Sequence, residues 1–168
     1  MSDPISTLAP HFFQVGYVVS DLADAEEWFQ RVMGVPSFMR SDVVLKENCL
    51  YRGRPADSAM NLSLGFVRGT QVELIEHVRG PSIYDEFLKA RGPGLHHLGF
   101  TVPDFPAAYE MMRKSGLEPI SEGHLGSGTD FAYFDCEAAG ASIIELLGFD
   151  EATSAMMQQL RKSSENAD

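Results

Sequence analysis

Four polar side chains stand where the surrounding pattern calls for apolar ones. Glu73 lies in the run Gln71-Val72-Glu73-Leu74-Ile75-Glu76, and Glu145 in Ser142-Ile143-Ile144-Glu145-Leu146-Leu147. Both runs read as strands, whose side chains alternate between two faces. Val72 and Leu74 then share the face opposite Glu73, and Ile144 and Leu146 the face opposite Glu145. Gln14 stands in the same way opposite Val15, Tyr17 and Val19, and His97 opposite Leu98, Phe100 and Val102. A carboxylate among apolar neighbours is costly unless its charge is met. A divalent cation meets it: two carboxylates neutralise the ion, and an amide oxygen and an imidazole nitrogen complete an oxygen-rich, thiol-free set. Such a set suits Mg, Mn, Co, Ni or Zn, leaves positions for substrate on a six-coordinate ion, and speaks against a structural zinc–thiolate centre. The chemistry is then that of a Lewis acid. An ion beside a carbonyl oxygen stabilises negative charge there, so the neighbouring C–H ionises more easily and gives an enolate.

Singly, each residue has an ordinary explanation. A lone strand glutamate usually faces solvent, and a lone histidine is more often packed than ligating. A repeat ties the four together. Gln14-Val15-Gly16-Tyr17-Val18-Val19-Ser20-Asp21 matches His97-Leu98-Gly99-Phe100-Thr101-Val102-Pro103-Asp104. Gln14 and His97 are 83 positions apart, as are Gly16 and Gly99, Val19 and Val102, and Asp21 and Asp104. Each Asp can cap a following helix. The first helix is predicted over residues 22–33, with Leu22, Ala25, Phe29 and Val32 on one face. The second is predicted over 106–114, with Ala108, Met111 and Met112 packing inward. Each stops at a glycine, Gly34 or Gly116. Strand-like stretches follow at 42–51, 60–67 and 70–77 in the first half, and at 117–121, 130–136 and 142–147 in the second. The order is β-α-β-β-β, twice. It predicts an α+β fold of two modules, 11–78 and 95–148, with mainly antiparallel sheets and a helix on one face of each. Residues 79–94 read as a connector with a short helix at 83–89. Residues 149–168 read as a C-terminal helix, 151–161, and a polar tail.

Of the 168 residues 44% are hydrophobic, enough for one compact core or two small ones sharing an interface. The 24 acidic residues outweigh 13 basic ones, for a formal charge of −11, which argues against nucleic acid as a partner but not against an anionic ligand in a local basic pocket. No segment approaches the roughly 18 apolar residues of a membrane span. Residues 1–10 do not read as an export signal, and the two cysteines, Cys49 and Cys136, have no partner close in sequence. A reducing compartment, the cytosol, is expected. Among the remaining polar residues, His96 should face away from His97, beside Leu98, and pack. His77 and Glu76 sit at a strand end and should be solvated. His124 lies in the glycine-containing stretch 121–128, which either closes over a ligand or only turns the chain. That stretch is not a P-loop, and there is neither a G-x-S-x-G elbow nor an H-E-x-x-H motif.

With these four positions and two glycine-containing openings, the chain resembles the vicinal oxygen chelate superfamily, also called the glyoxalase/bleomycin-resistance/dioxygenase fold, over residues 12–148. The resemblance implies one domain over 11–148. Its two βαβββ modules would form a cupped, mainly antiparallel sheet with helices on the outer faces, around a metal held by Gln14, Glu73, His97 and Glu145. It also implies a homodimer. The run Gly94-Leu95-His96-His97-Leu98-Gly99-Phe100, with Val72-Glu73-Leu74 and Ile144-Glu145-Leu146, is similar to methylmalonyl-CoA epimerases. Those enzymes usually have His where this chain has Gln14, and Glu47 stands in the region of their second catalytic carboxylate. Animal glyoxalase I shares the ligand types Gln, Glu, His and Glu, but its glutathione-binding Arg is Val18 here. The two-His, one-Glu iron set of extradiol dioxygenases is absent. The implied function is a divalent-metal-dependent epimerase, isomerase or lyase acting through an enolate, with Glu145 and Glu73 shuttling the proton. Its substrate would be a small molecule such as an acyl-CoA, with the coenzyme A part outside the cup near Arg52, Arg54, Arg91 or the Ser127-Gly128 turn. The alternatives are a glyoxalase I-like lyase or a non-catalytic binding protein of the same fold.

Overall fold

The computed structural model describes residues 7–166 and folds them around one ten-stranded sheet. The first half runs β1 (Phe12–Val19), α1 (Leu22–Trp28), β2 (Met39–Leu45), β3 (Cys49–Tyr51), β4 (Arg54–Pro55), β5 (Ser58–Val67) and β6 (Thr70–Arg79). A bridging helix, α2 (Ile83–Arg91), leads to β7 (Gly94–Thr101), α3 (Phe105–Lys114), β8 (Pro119–Leu125), β9 (Thr129–Phe134), β10 (Ile143–Phe149) and α4 (Glu151–Glu165). The strands lie in the order β2-β5-β6-β1-β7-β10-β9-β8-β3-β4. The halves meet where β1 and β7 pair antiparallel. Among the pairs of named strands in the described residues, β1–β6 and β7–β10 are the parallel ones. Residues 1–6, part of the segment read for an export signal, and 167–168, the end of the polar tail, lie outside the described residues.

The repeated aspartates do what the sequence leads one to expect. Asp21 and Asp104 accept hydrogen bonds from the Asp24 and Ala107 amides and so cap α1 and α3. Where one helix over 22–33 was expected, α1 ends at Trp28. The chain continues as a π-helical turn, Phe29–Met33, that stops at left-handed Gly34. Val15, Tyr17 and Val19 of β1 and Val72 and Leu74 of β6 pack outward beneath α1. Phe100, Val102 and Leu146 pack outward beneath α3. The opposite, concave face carries Val18, Leu45, Met60, Ile75, Phe131 and Leu147, with Ile83 and Tyr84 of α2 laid against them.

The expected strand over 42–51 is two strands. β2 ends at Leu45, Asn48 takes a left-handed φ of 59°, and β3 leaves to pair with β8. In the strand order β2 is one edge, and β3 lies near the other. Four steps of chain from Leu45 to Cys49 span at most about 14 Å. The two ends of the sheet must therefore approach each other, and the sheet curls into a half-barrel. α4 lies across it. The Asp150 carboxylate caps α4 through the Thr153 amide, the Asp150 amide donates to the Gly128 carbonyl, and the Thr153 hydroxyl donates to the Ser127 carbonyl. These bonds clamp the start of α4 to the β8–β9 turn. Among the described residues no helix is long and apolar enough to cross a membrane. Cys49 and Cys136 are both unpaired and buried.

Candidate metal centre

The four neighbouring strands β6, β1, β7 and β10 each contribute at least one polar residue to the floor of the cup. His97 Nε2 stands 3.2 Å from Gln14 Oε1, 3.3 Å from Glu73 Oε2 and 3.2 Å from Glu145 Oε2. The donor atoms of Glu73, His97 and Glu145 all lie within 4.8 Å of one another. All four side chains are buried, His97 completely. The structure thus brings together Gln14, Glu73, His97 and Glu145 from positions as much as 131 residues apart.

The repeated glycines make this possible. In the β1–β7 register Gly16 faces His97 and Gly99 faces Gln14. A Cβ on Gly16 would lie 1.9 Å from His97 Cε1, and one on Gly99 would lie 2.5 Å from Gln14 Oε1. Each module's glycine therefore gives room to the other module's polar side chain. The same pairing carries two β-bulges, at Phe13 and at His96, the residues just before Gln14 and His97. A bulge adds one residue to one strand and re-aims its side chains. His96 therefore does not point away from His97, as plain alternation predicts. Its Nδ1 lies 3.0 Å from His97 Nδ1, and its ring packs among Tyr84, Phe87 and Tyr133.

The electrostatics of the cluster follow from burial and crowding. Burial holds His96 down at about 3, with the neighbouring His97 charge adding to it, so His96 is neutral and can accept at Nδ1. The His97 proton on Nδ1 then faces an acceptor, and its Nε2 faces the three oxygens. Burial works against a charged His97, but the Glu145 and Glu73 carboxylates outweigh it and raise it to about 9. Glu73 is itself raised, chiefly by burial, with the nearby His97 pulling the other way. Among the described residues, buried side-chain atoms without a hydrogen-bond partner include Glu73 Oε2 and Glu145 Oε2. A divalent cation fits this arrangement. Ligand atoms about 2.1 Å from a shared ion and at right angles stand about 3.0 Å apart, close to the spacing seen here.

Three nearby residues escaped the sequence reading. Gln71 lies two positions before Glu73, on the same face of β6. Its Oε1 accepts from Gln14 Nε2 at 2.7 Å, which turns Gln14 Oε1 toward His97. That two-residue spacing was the available signal. Tyr133 lies opposite Glu145 in the β9–β10 register, and Tyr84 of α2 donates to its hydroxyl at 2.8 Å. Burial, then the nearby carboxylates, push both phenols well above their usual range. The other expected residues fall elsewhere. Glu47 is exposed in the 46–48 turn. Glu76 is not simply solvated: it accepts from the Leu22 amide at the start of α1 and from Asn61. Part-buried His77 lies 3.4 Å from the Ser82 hydroxyl. His124 pairs with Asp130 on the exposed β8–β9 hairpin. Arg52 is paired with Glu86 and Arg91 with Glu137, while Arg54 lies exposed on β4. Ser127 lines the cavity beside the cluster.

The family model of the Glyoxalase/Bleomycin resistance protein/Dioxygenase superfamily matches residues 13–134. Among curated proteins, none matches the sequence. Solved structures similar to this chain include methylmalonyl-CoA epimerase from Mycobacterium tuberculosis, with a TM-score of 0.67 and 22% identity, covering 92% of this chain and 97% of that one. Streptomyces coelicolor methylmalonyl-CoA epimerase, as a variant in complex with 2-nitronate-propionyl-CoA, has a TM-score of 0.67 and 17% identity over 84% of this chain and 95% of that one. A hypothetical protein from Bacillus halodurans C-125 has a TM-score of 0.61 and 16% identity over 83% of this chain and 94% of that one. At these identities the likeness establishes the fold.

Proposed function

We propose that this chain, which belongs to the Glyoxalase/Bleomycin resistance protein/Dioxygenase superfamily, is a divalent-metal-dependent epimerase, isomerase or lyase that moves a proton at a carbon beside a carbonyl group. The observation that carries this reading is the pair of buried, unpartnered carboxylate oxygens, Glu73 Oε2 and Glu145 Oε2, converging with Gln14 Oε1 on His97 Nε2. An ion held by these four residues, Co, Mn, Ni, Zn or Mg, supplies a Lewis acid that stabilises negative charge developing on a substrate oxygen. Glu145 and Glu73 stand on opposite halves of the cup, and a carboxylate has a second oxygen with which to take or return a proton. The Tyr84–Tyr133 pair and the apolar walls keep water from the reacting carbon. An acyl thioester like those of the epimerase neighbours is the starting substrate class. Paired subunits and a reducing, cytosolic setting are part of the same reading, checked by sedimentation and fractionation.

A second reading, a non-catalytic binder, draws on the wall across from the cluster. Met39, Val43, Leu62 and Leu64 offer no further carboxylate there, and Glu47 lies outside. Glutathione chemistry is disfavoured because Val18, where glyoxalase I has its Arg, is fully buried in the core. Elemental mass spectrometry of untagged protein tests the first reading: about one divalent ion per chain, much reduced in Glu145→Gln, together with deuterium exchange beside the carbonyl of branched acyl thioesters. No ion after exposure to Mn, Co, Ni and Zn refutes it. Tight ligand binding without exchange favours the binder.

A further inference from the structure

The cavity next to the four polar residues measures about 160 Å³. An apolar cavity of about 150 Å³ takes a benzene-sized guest. Away from Gln14, Glu73 and Glu145 its walls are mainly hydrocarbon and thioether, with Met39 and Val43 from β2, Leu62 from β5, Phe131 from β9, and Met156 and Met157 from α4, interrupted by hydroxyls such as Ser41 and Thr129. Among the described residues, no Lys, Arg or His side chain lines it. Most of its other polar groups are already engaged: Gln71 with Gln14 and Met157 Sδ, Thr153 with the Ser127 carbonyl, and Tyr84 with Tyr133.

We infer that the part of the substrate held in this cup is a compact hydrocarbon body, a branched chain of about four to six carbons or a single aromatic ring, carrying no ionised group beyond the oxygens it presents at the four-residue cluster. The inference rests on the proposed metal-dependent function and narrows its substrate class. Two arguments lead to it. A second anion on that body would be desolvated close to two carboxylates with no cation on the wall to meet it. A methyl-sized body would leave most of the cavity unfilled and forgo contacts that the walls offer. The two thioethers of α4 suit a fitted but adjustable wall, because unbranched methionine repacks around irregular shapes. The bonds that clamp α4 to the β8–β9 turn hold that wall over the cup.

The test has two arms. In the first, 2-oxo acids with side chains of one to seven carbons, and phenylpyruvate, are titrated by calorimetry into Mn-loaded protein. Affinity should rise about fourfold per methylene to an optimum near five carbons, then fall. A 2-oxo acid with a second, terminal carboxylate should bind at least about tenfold more weakly than its apolar isostere. Val43→Phe should move the optimum to shorter chains without changing Mn content. In the second arm, metal-free protein with 13C-methyl methionine is titrated with 1-alkanols of the same lengths. The Met39, Met60, Met156 and Met157 methyls should shift, while Met33, Met111 and Met112 hold still.

A flat dependence on chain length with stoichiometric Mn overturns the inference and leaves the metal reading intact. A length gradient and cup-methionine shifts in protein that binds none of Mn, Co, Ni and Zn refute the metal reading and leave the hydrocarbon fit of the cup standing. Alkylmalonyl-CoA thioesters, run alongside the acids, tell whether the oxygens belong to a thioester or a free acid. A methyl optimum in that series overturns the inference.

Discussion

Gly16→Ala should damage the cluster without touching any of its four polar residues. Gly16 is not among the glycines with positive φ, so its backbone accepts an L side chain, and only space forbids one. The added Cβ would sit 1.9 Å from His97 Cε1, and reaching an ordinary contact of 3.4 Å takes about 1.5 Å of ring movement. The His97 ring is fully buried and wedged against His96 and Tyr133, so it has little room to move. Overpacking of this kind costs about 1–3 kcal/mol. A nitrogen displaced that far leaves the other three atoms, and Mn affinity should fall by roughly a hundredfold or more. Urea unfolding of the metal-free protein reads the first effect, and Mn titration the second. Gly126→Ala is the control, because nothing lies within 4 Å of its added carbon. The decisive variant is the double, Gly16→Ala with His97→Ala, in which the clash is gone. Its stability should exceed the sum of the single changes by about 1–3 kcal/mol. Additivity within about 0.5 kcal/mol would refute the claim that Gly16 exists to admit the His97 ring.

Further outcomes follow from the same cluster. Because His97 is raised to about 9, binding of Mn at pH 7 must displace its proton, so affinity should climb with pH between 6 and 8. Calorimetry in buffers of differing ionisation enthalpy should find about one proton released, and a pH-independent affinity would contradict this. By the same sign, a His97 raised in the folded state stabilises the metal-free protein below its unfolded value of 6.5, and that stability fades as pH rises through about 9. His96→Phe keeps a ring among Tyr84, Phe87 and Tyr133 but removes the acceptor facing His97 Nδ1. Mn affinity should drop about 10–100-fold with little change in urea midpoint, and an unchanged affinity would sink the orienting role. Tyr84→Phe removes the hydroxyl pair with Tyr133 and should cost about 1 kcal/mol in urea unfolding. A more stable variant would mean that the pair is strained rather than favourable.

The four central strands were legible because each carries a polar residue out of step with a period-two apolar pattern, and because the pattern recurs with matching glycines and capping aspartates. What stayed hidden depends on contacts far apart in sequence. The stretch Asp42 to Tyr51 reads as continuous strand, and only Asn48, a residue tolerant of left-handed backbone, hints at the break. The partner that draws β3 away is Ser121 to Gly123, some 70 residues on. The bulge at His96 is likewise invisible to a period-two reading, because one extra residue in the ladder reverses the face it assigns. The placement of Tyr133 beside Glu145 needs the β9–β10 register, and nothing in either strand alone supplies it.

The two halves are alike in their polar floor and unlike in their walls, and the spacing of the cluster records the difference. Gln14 and His97 are 83 positions apart, but Glu73 and Glu145 only 72. The first half therefore carries extra chain between its opening and closing strands, and residues 46–57 hold it as the β3–β4 excursion. That excursion covers the β8 edge of the second half, an edge that would otherwise lie unpaired. The walls differ as well. The residue opposite Glu73 is Leu64, and the residue opposite Glu145 is Tyr133, backed by Tyr84. A substrate lying between the two glutamates meets hydrocarbon on one side and hydroxyls on the other. Proton washout from the Glu145 side should then depend on Tyr133, and Tyr133→Phe should slow it by about tenfold or more. Washout from the Glu73 side should keep its rate. Stereospecifically deuterated substrate separates the two, and equal slowing on both sides would refute a division of labour between the halves.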